Sequence, residues 1–171
     1  MQRLKPAVEA ALDEIVLISR NGPKEVKPKE EQLRSAMCRH YSNQGFLVHV
    51  EAGYPDSGAE CDLRVAGRKG GRERWIEIKT AWGGKGWNGK PAELAAGWES
   101  DLCKLRQLAP EGSRRYLVVF GFFDRPLDGS RLGLQARIAE VRGRLLFALP
   151  ERPFTWRSTS LAVVRAWAWE G

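Results

Sequence analysis

The sequence predicts an α/β protein with a mixed central sheet flanked by helices, an N-terminal helix and a C-terminal extension rich in strands. Three observations favour this class. Apolar residues recur at helical spacing in three segments, residues 4–19, 29–43 and 93–109. Short apolar runs bounded by turn residues lie between and after those segments. The most hydrophobic run, residues 114–124, is typical of a central strand covered on both faces of a sheet.

Composition narrows the class of protein and of partner. A chain of 171 residues suits one domain with a real core. The formal net charge of +7, from 28 Lys and Arg against 21 Asp and Glu, favours a polyanionic partner such as nucleic acid. The 3 cysteines are widely spaced and predict buried reduced thiols, not disulfides or a zinc site. No signal-peptide pattern and no membrane-spanning run is present, so we expect a cytoplasmic protein.

The N-terminal part predicts two helices and a strand. Residues 4–19 have an amphipathic helical pattern, and residues 21–29 contain Asn-Gly, two prolines and three lysines, which predict a connector. Residues 1–27 are therefore an addition that packs on the core or on a second subunit. The core then begins with the helix over residues 29–43 and a strand over residues 46–52.

The segment from Glu60 to Ala81 predicts a β-hairpin whose strands flank the turn Gly-Arg-Lys-Gly-Gly-Arg-Glu-Arg. Folding it midway through that turn gives four opposed pairs: Asp62–Glu77, Leu63–Ile76, Cys61–Ile78 and Glu60–Lys79. Opposed residues point to one face of a hairpin, and neighbours along a strand point to opposite faces. One predicted face is therefore apolar and is formed by Cys61, Leu63, Ile76 and Ile78. The other carries Asp62, Glu77 and Lys79, with Trp75 beside them.

The polar face of this hairpin predicts a metal site. Opposed side chains have Cβ atoms about 4.5–5.5 Å apart, so the carboxylates of Asp62 and Glu77 can reach one cation. Mg²⁺ takes one or two carboxylates and keeps its other positions for water and phosphate, where it can activate a water. Lys79 then lies where it can orient or deprotonate that water or stabilise developing charge. The alternative is a surface hairpin whose solvated face carries these charges.

Asp62 followed by Glu77-Ile78-Lys79 at the end of an apolar strand resembles the core of the PD-(D/E)xK nuclease superfamily, which has the restriction-endonuclease-like fold. The resemblance covers residues 28–123, and the order helix, strand, hairpin, helix, strand is the order of that core. It implies metal ligation by Asp62, Glu77 and the backbone carbonyl of Ile78, with Lys79 at the attacking water.

The same resemblance implies roles for two helical residues. In the superfamily a glutamate on the first core helix reaches the metal site, often as Glu-x-x-Leu, and Glu30 fits this better than Glu31. The run from Asp101 to Leu105 resembles the Asp-x-x-Lys-Leu of the helix after the catalytic strand, which implies that Lys104 faces a phosphate. The alternatives at these positions are a first-turn acid favoured by the helix dipole and a solvated lysine.

Two loops carry further candidates. Pro55-Asp56 matches the superfamily's name, but it lies in a turn-like segment and its acid has no position opposite Glu77, so Asp62 is preferred. Residues 80–93 contain four glycines and predict a flexible basic loop for backbone contact and base stacking. Its candidate nucleic-acid-binding residues are Trp82, Lys85, Trp87 and Lys90.

The C-terminal extension, residues 124–171, is less informative. The pattern predicts a helix over residues 131–141 and strands over residues 144–149 and 159–170. Trp156, Trp167 and Trp169 line a nucleic-acid groove or a dimer interface in one interpretation and pack in the core in another.

The sequence therefore predicts a single nuclease-like domain that hydrolyses phosphodiester bonds in DNA with Mg²⁺ or Mn²⁺. Asp62, Glu77 and Lys79 form the predicted site, and Glu30 assists. Because one site cuts one strand, cleavage of both strands predicts a homodimer. Two alternatives stay open: a nucleic-acid-binding or scaffold module that does not cleave, and a nuclease directed at RNA.

Overall fold

Three helices and seven strands make up the part of the chain that the structure, a computed structural model, describes: residues 3–21, 28–67, 70–83, 91–123, 138, 141–156 and 159–171. The helices are α1 (Leu4–Asn21), α2 (Glu30–Asn43) and α3 (Pro91–Leu108). The strands are β1 (Phe46–Gly53), β2 (Glu60–Gly67), β3 (Arg74–Gly83), β4 (Arg114–Phe123), β5 (Arg144–Ala148), β6 (Arg152–Trp156) and β7 (Thr159–Glu170). None of these helices is long and apolar enough to cross a membrane.

The strands form one mixed open sheet in the order β1-β2-β3-β4-β7-β5, with β6 also paired to β7. β3 and β4 are parallel, whereas every other pair is antiparallel. Two parallel strands need a long crossover, and α3 lies in the connection between them. The predicted α/β class is confirmed, with a mixed sheet, N-terminal helices and C-terminal strands.

Helices cover both faces of the sheet and divide the core into two layers. On one face α1 and α2 pack over Leu63, Ile76 and Ile78, and on the other α3 packs over Trp75 and Leu117. β4 is buried from Tyr116 to its end because both layers cover it, as its continuous hydrophobic run predicts. The N-terminal helix is part of this core and contacts α2, β6 and β7 of its own chain.

The hairpin register is confirmed where the two strands pair. The backbone ladder between β2 and β3 consists of Leu63–Ile76, Arg64–Trp75 and Val65–Arg74. The other predicted pairs, Asp62–Glu77, Cys61–Ile78 and Glu60–Lys79, are not in that ladder. β2 continues to pair with β1 to its first residue, so its N-terminal half follows β1 and leaves β3.

This divergence corrects one assignment of a hairpin face. Cys61 packs with Trp75 in the layer beneath α3 and does not lie with Leu63, Ile76 and Ile78. Side-chain alternation along β2 is interrupted at Asp62, where the β1–β2 ladder skips the Glu51–Asp62 pair and Glu51 has a φ of 50°.

The C-terminal predictions have mixed outcomes. β5 and β7 confirm the two predicted strands, whereas β6 was not predicted, and Trp167 and Trp169 are buried in the core and do not line a groove. The side chain of Trp156 and most of residues 131–141 lie outside the described residues. All three cysteines are free thiols, but Cys103 is exposed, contrary to expectation, because it lies off the buried stripe of α3.

Candidate active site

The candidate active site lies where β2 and β3 diverge. β3 contributes Glu77 and Lys79, and β2 contributes Asp62. Helices from both faces of the sheet reach the same place, because α2 supplies Glu30 and Arg34 and α3 supplies Asp101 and Lys104. Tyr54, in the loop after β1, completes the group.

Asp62 joins the two strands beyond the end of their ladder. Its Oδ2 accepts a hydrogen bond of 2.7 Å from the backbone N–H of Ile78, which substitutes for a backbone pair. Its Oδ1 lies 3.3 Å from Nη1 of Arg34. The other terminal nitrogen of Arg34, Nη2, lies 2.9 Å from Oε1 of Glu51. These contacts fix the Asp62 carboxylate against β3, next to Glu77.

Glu77 is buried and held by two donors. Its Oε1 accepts from the hydroxyl of Tyr54 at 2.7 Å and lies 2.6 Å from Nζ of Lys104. Burial raises the pKa of the Glu77 carboxyl, and the charge of Asp62 adds to that, while Lys104 and Tyr54 act in the opposite direction. Lys104 therefore supplies the positive charge that stabilises a carboxylate in this buried position.

Tyr54 and Cys61 are neutral parts of the same surroundings. Burial, followed by the contact with Glu77, raises the pKa of Tyr54, so its hydroxyl keeps its proton and remains a donor. Burial and the nearby charges of Glu77 and Asp62 raise the pKa of Cys61 to about 12. Cys61 is therefore a protonated thiol and not a thiolate ligand.

Lys79 lies among carboxylates and is charged. Its Nζ is 3.7 Å from Oδ2 of Asp101. Burial lowers the pKa of Lys79, but the charges of Asp101, Glu30 and the two hairpin acids outweigh that effect and leave the pKa raised. For Asp101, burial raises the pKa of the carboxyl, and the charge of Lys79 opposes that increase. The ammonium of Lys79 therefore persists at neutral pH.

Glu30 approaches the site from the start of α2. Its Oε1 accepts hydrogen bonds from the backbone N–H of Thr80 at 2.8 Å and from Thr80 Oγ1 at 3.2 Å. Glu31 is exposed and lines a separate surface groove with Lys29. The structure thus brings Glu30, and not its neighbour, to the strand that carries Glu77 and Lys79.

The remaining predicted residues lie elsewhere. Asp56 is exposed in a turn, with a φ of 54°, and does not contact the hairpin acids. Trp82 belongs to β3 and not to a flexible loop, and its ring stacks on Phe122 with centroids 4.4 Å apart. Lys85, Trp87 and Lys90 lie outside the described residues.

The sequence analysis assigned no role to three members of this site, Arg34, Tyr54 and Asp101. Asp101 lies three residues before Lys104 and Arg34 lies four residues after Glu30, so helical spacing could have placed each beside its predicted neighbour. Tyr54 has no such signal, because its position depends on the path of the loop after β1.

The residues present suit a hard divalent cation held by few protein ligands. The site has four carboxylates that are at least half-buried, Glu30, Asp62, Glu77 and Asp101, against three cationic side chains, Arg34, Lys79 and Lys104. Within the described ranges, no three acidic, thiol or imidazole groups converge as a ready-made metal cage. Two adjacent carboxylates with room for water and phosphate are the usual protein contribution to a Mg²⁺ site.

Comparisons with known proteins give no match: no family model, no curated protein and no solved structure is similar to this chain.

Proposed function

We propose that this protein is a Mg²⁺- or Mn²⁺-dependent nuclease that hydrolyses phosphodiester bonds in DNA, built on a restriction-endonuclease-like core. One observation carries the proposal. Asp62, Glu77, Lys79 and Glu30, which are separated in sequence by up to half of the core, meet where β2 and β3 diverge. A cluster of titratable groups with shifted pKa values in a partly buried place is typical of a functional site, and this is what supports the proposal.

In the proposed site, Asp62, Glu77 and the backbone carbonyl of Ile78 would hold the metal ion. The bound ion would supply Lewis-acid polarisation of a phosphoryl oxygen and a nucleophilic hydroxide. The contact from Ile78 N–H orients Asp62, and the buried surroundings of Glu77 keep its carboxylate in one position. These contacts from neighbouring protein groups hold both carboxylates in position before a substrate binds.

Lys79 acts through its charge. Because its pKa is raised, the ammonium is a poor proton acceptor at neutral pH, so orientation of water and stabilisation of phosphoryl charge fit it better than deprotonation. Asp101 positions Lys79 through their ion pair, and Glu30 positions the strand at Thr80.

Lys104 contacts Glu77 in the structure, and we propose that it also contacts a substrate phosphate. Its side chain is 29% exposed and contacts Glu77 and the carbonyl of Glu60. Lys104 would be the group on α3 that contacts this substrate phosphate, together with Lys85 and Lys90. A homodimer would bring two such sites to the two strands of a duplex.

A second candidate, a nucleic-acid-binding module that does not cleave, is favoured by one observation. Lys104 Nζ lies 2.6 Å from Glu77 and already occupies a cation position beside that carboxylate. If a divalent ion does not displace the Lys104 ammonium, the charged cluster is structural. The protein, with its net positive charge, would then bind nucleic acid without hydrolysing it.

The test is cleavage and binding of end-labelled duplex DNA, with a matched RNA, in Mg²⁺, Mn²⁺ or EDTA. Glu77→Ala should lower the cleavage rate by about 100-fold or more, the scale for losing a group that stabilises transition-state charge, and leave DNA affinity nearly unchanged. Glu31→Ala, the exposed neighbour of Glu30, is the control and should cleave normally.

Three outcomes would contradict parts of this proposal. A Glu77→Ala variant that cleaves DNA at the wild-type rate would exclude this cluster as the catalytic site. DNA binding that is indifferent to Mg²⁺, with no product, would favour the binding module. Products from RNA alone would assign the other substrate.

A further inference from the structure

A basic site separate from the candidate active site lies where β3 and β4 begin. It is a cavity of about 470 Å³ lined by Arg72, Ser113, Arg114, Tyr116, Arg144 and Glu170, among others. β3 begins at Arg74, which pairs with Arg114, whereas Lys79 is five residues further along. At about 3.3 Å per residue this places the two sites about 16 Å apart. We call this cavity the arginine pocket.

The backbone around the arginine pocket is fixed by the sheet. The N–H of Arg114 donates to the carbonyl of Glu73 at 2.8 Å, which ties the start of β4 to the turn that carries Arg72. Glu170 pairs across the sheet with Tyr116 on one side and with Arg144 on the other. The starts of β4 and β5, the end of β7 and the turn that carries Arg72 therefore meet at one cavity.

The charge in this pocket is unbalanced. Arg144 is ion-paired with Glu170, the single acid among the described residues that line the cavity. In the described part of the chain, no carboxylate forms an ion pair with Arg72 or Arg114. The hydroxyl of Tyr116 and the charge of Glu170 raise the pKa of Arg114, so its guanidinium stays charged. Three guanidinium groups share one carboxylate, and the remaining positive charge would attract an anion into the cavity.

Guanidinium chemistry identifies the class of anion. Arginine presents several N–H donors in a planar fork that matches phosphate oxygens, and it binds phosphate in a bidentate manner. The cavity is large enough for a phosphate or a diphosphate, and Tyr116 and Leu146 give it a floor that is largely buried.

We propose that the arginine pocket binds a phosphate group through Arg72, Arg114 and Arg144, at a distance from the candidate active site and independently of it. The phosphate belongs either to a nucleic-acid backbone or to a free phosphate compound such as a nucleotide. The chemistry of recognition is the same for both sources, and affinity measurements separate them.

The test uses calorimetry with inorganic pyrophosphate and fluorescence anisotropy with a labelled duplex DNA, both in EDTA at low salt. Arg114→Gln should weaken binding about tenfold, the scale for one charge-assisted hydrogen bond. Glu170→Gln should strengthen binding several-fold, because it removes the only lining acid described and releases Arg144. Arg39→Gln, an exposed arginine paired with Glu14 on the helices, is the control.

Opposite effects of Arg114→Gln and Glu170→Gln on either ligand would support the pocket. A change in DNA affinity would assign the phosphate to a nucleic-acid backbone, and a change limited to pyrophosphate would assign a free phosphate compound. Affinities that are unaltered in both variants, or altered equally in Arg39→Gln, would overturn the proposal.

Discussion

The contact between Lys104 and Glu77 makes the sharpest prediction about stability. Lys104→Met keeps most of the apolar stem of the side chain and removes its charge. Glu77, whose side chain is 3% exposed, then loses the ammonium 2.6 Å away and keeps the hydroxyl of Tyr54. A buried carboxylate with only one neutral donor is poorly compensated, so we expect the variant to be less stable.

The magnitude follows from the burial of the two partners. Removing one partner of a fully buried ion pair costs about 3–5 kcal/mol. The Lys104 side chain is 29% exposed, so water replaces part of what it provides and a loss of about 2 kcal/mol is expected. Lys104 also lies 5.7 Å from the centroid of the Tyr54 ring, and this minor attraction is lost as well.

The loss should depend on pH with a definite sign. Lys104 lowers the pKa of Glu77, so in Lys104→Met the folded-state pKa of this carboxyl rises further above its unfolded value. A group whose pKa is raised by folding contributes stability at low pH and loses that contribution as pH rises through the folded-state pKa. The deficit of the variant is therefore largest near neutral and alkaline pH, and it shrinks as Glu77 takes up a proton.

Urea unfolding followed by circular dichroism in EDTA measures this effect, at about pH 8 and about pH 5. Lys5→Met is the matched control, because Lys5 and Glu9 form an exposed pair at 3.9 Å on one helix, worth less than about 0.5 kcal/mol. A deficit for Lys104→Met no larger than that of the control, or one that grows as the pH falls, would show that Lys104 does not stabilise the Glu77 carboxylate.

Three further changes test other contacts. Tyr54→Phe should lower the free energy of unfolding by about 1.5–3 kcal/mol, the scale for one hydrogen bond to a charged group, and an unchanged urea midpoint would count against that bond. Gly121→Ala should destabilise by about 1–3 kcal/mol, since a Cβ there would lie 2.6 Å from two buried rings; Gly97→Ala on α3 meets nothing within 4 Å and is the control. Asp101→Asn should lower the pKa of Lys79, so the alkaline limb of the cleavage rate should move to lower pH, and a limb that stays in place would argue against their coupling.

The sequence predicted the β2–β3 register, because local pattern decides that part of the structure. The turn and the alternation of side chains determined the β2–β3 register, which Leu63–Ile76 confirms. The sequence did not predict where the ladder stops, because that depends on β1 and α2, and Cys61 was therefore assigned to the wrong face. The prediction that the backbone pairs as far as Glu60 did not anticipate this divergence, at which Asp62 bonds the backbone N–H of Ile78 in place of a ladder pair.

Some contacts between distant segments had no signal in the sequence. Tyr54 reaches the site from a loop whose path follows from packing and not from any motif, whereas Arg34 was missed although its spacing from Glu30 could have placed it there. β6 was missed because it is short, contains Pro153 and forms only by pairing with β7.

The most direct test of the central claim is incubation of the purified protein with supercoiled plasmid in Mg²⁺, in Mn²⁺ and in EDTA. Lys79→Ala removes the ammonium at the proposed attacking water, and Lys5→Ala, on the exposed face of α1, is its control. For a nuclease of this kind we expect nicked or linear plasmid that requires metal, persists with Lys5→Ala and disappears with Lys79→Ala. Metal-dependent products that survive in Lys79→Ala, or intact plasmid under every condition, would contradict this expectation.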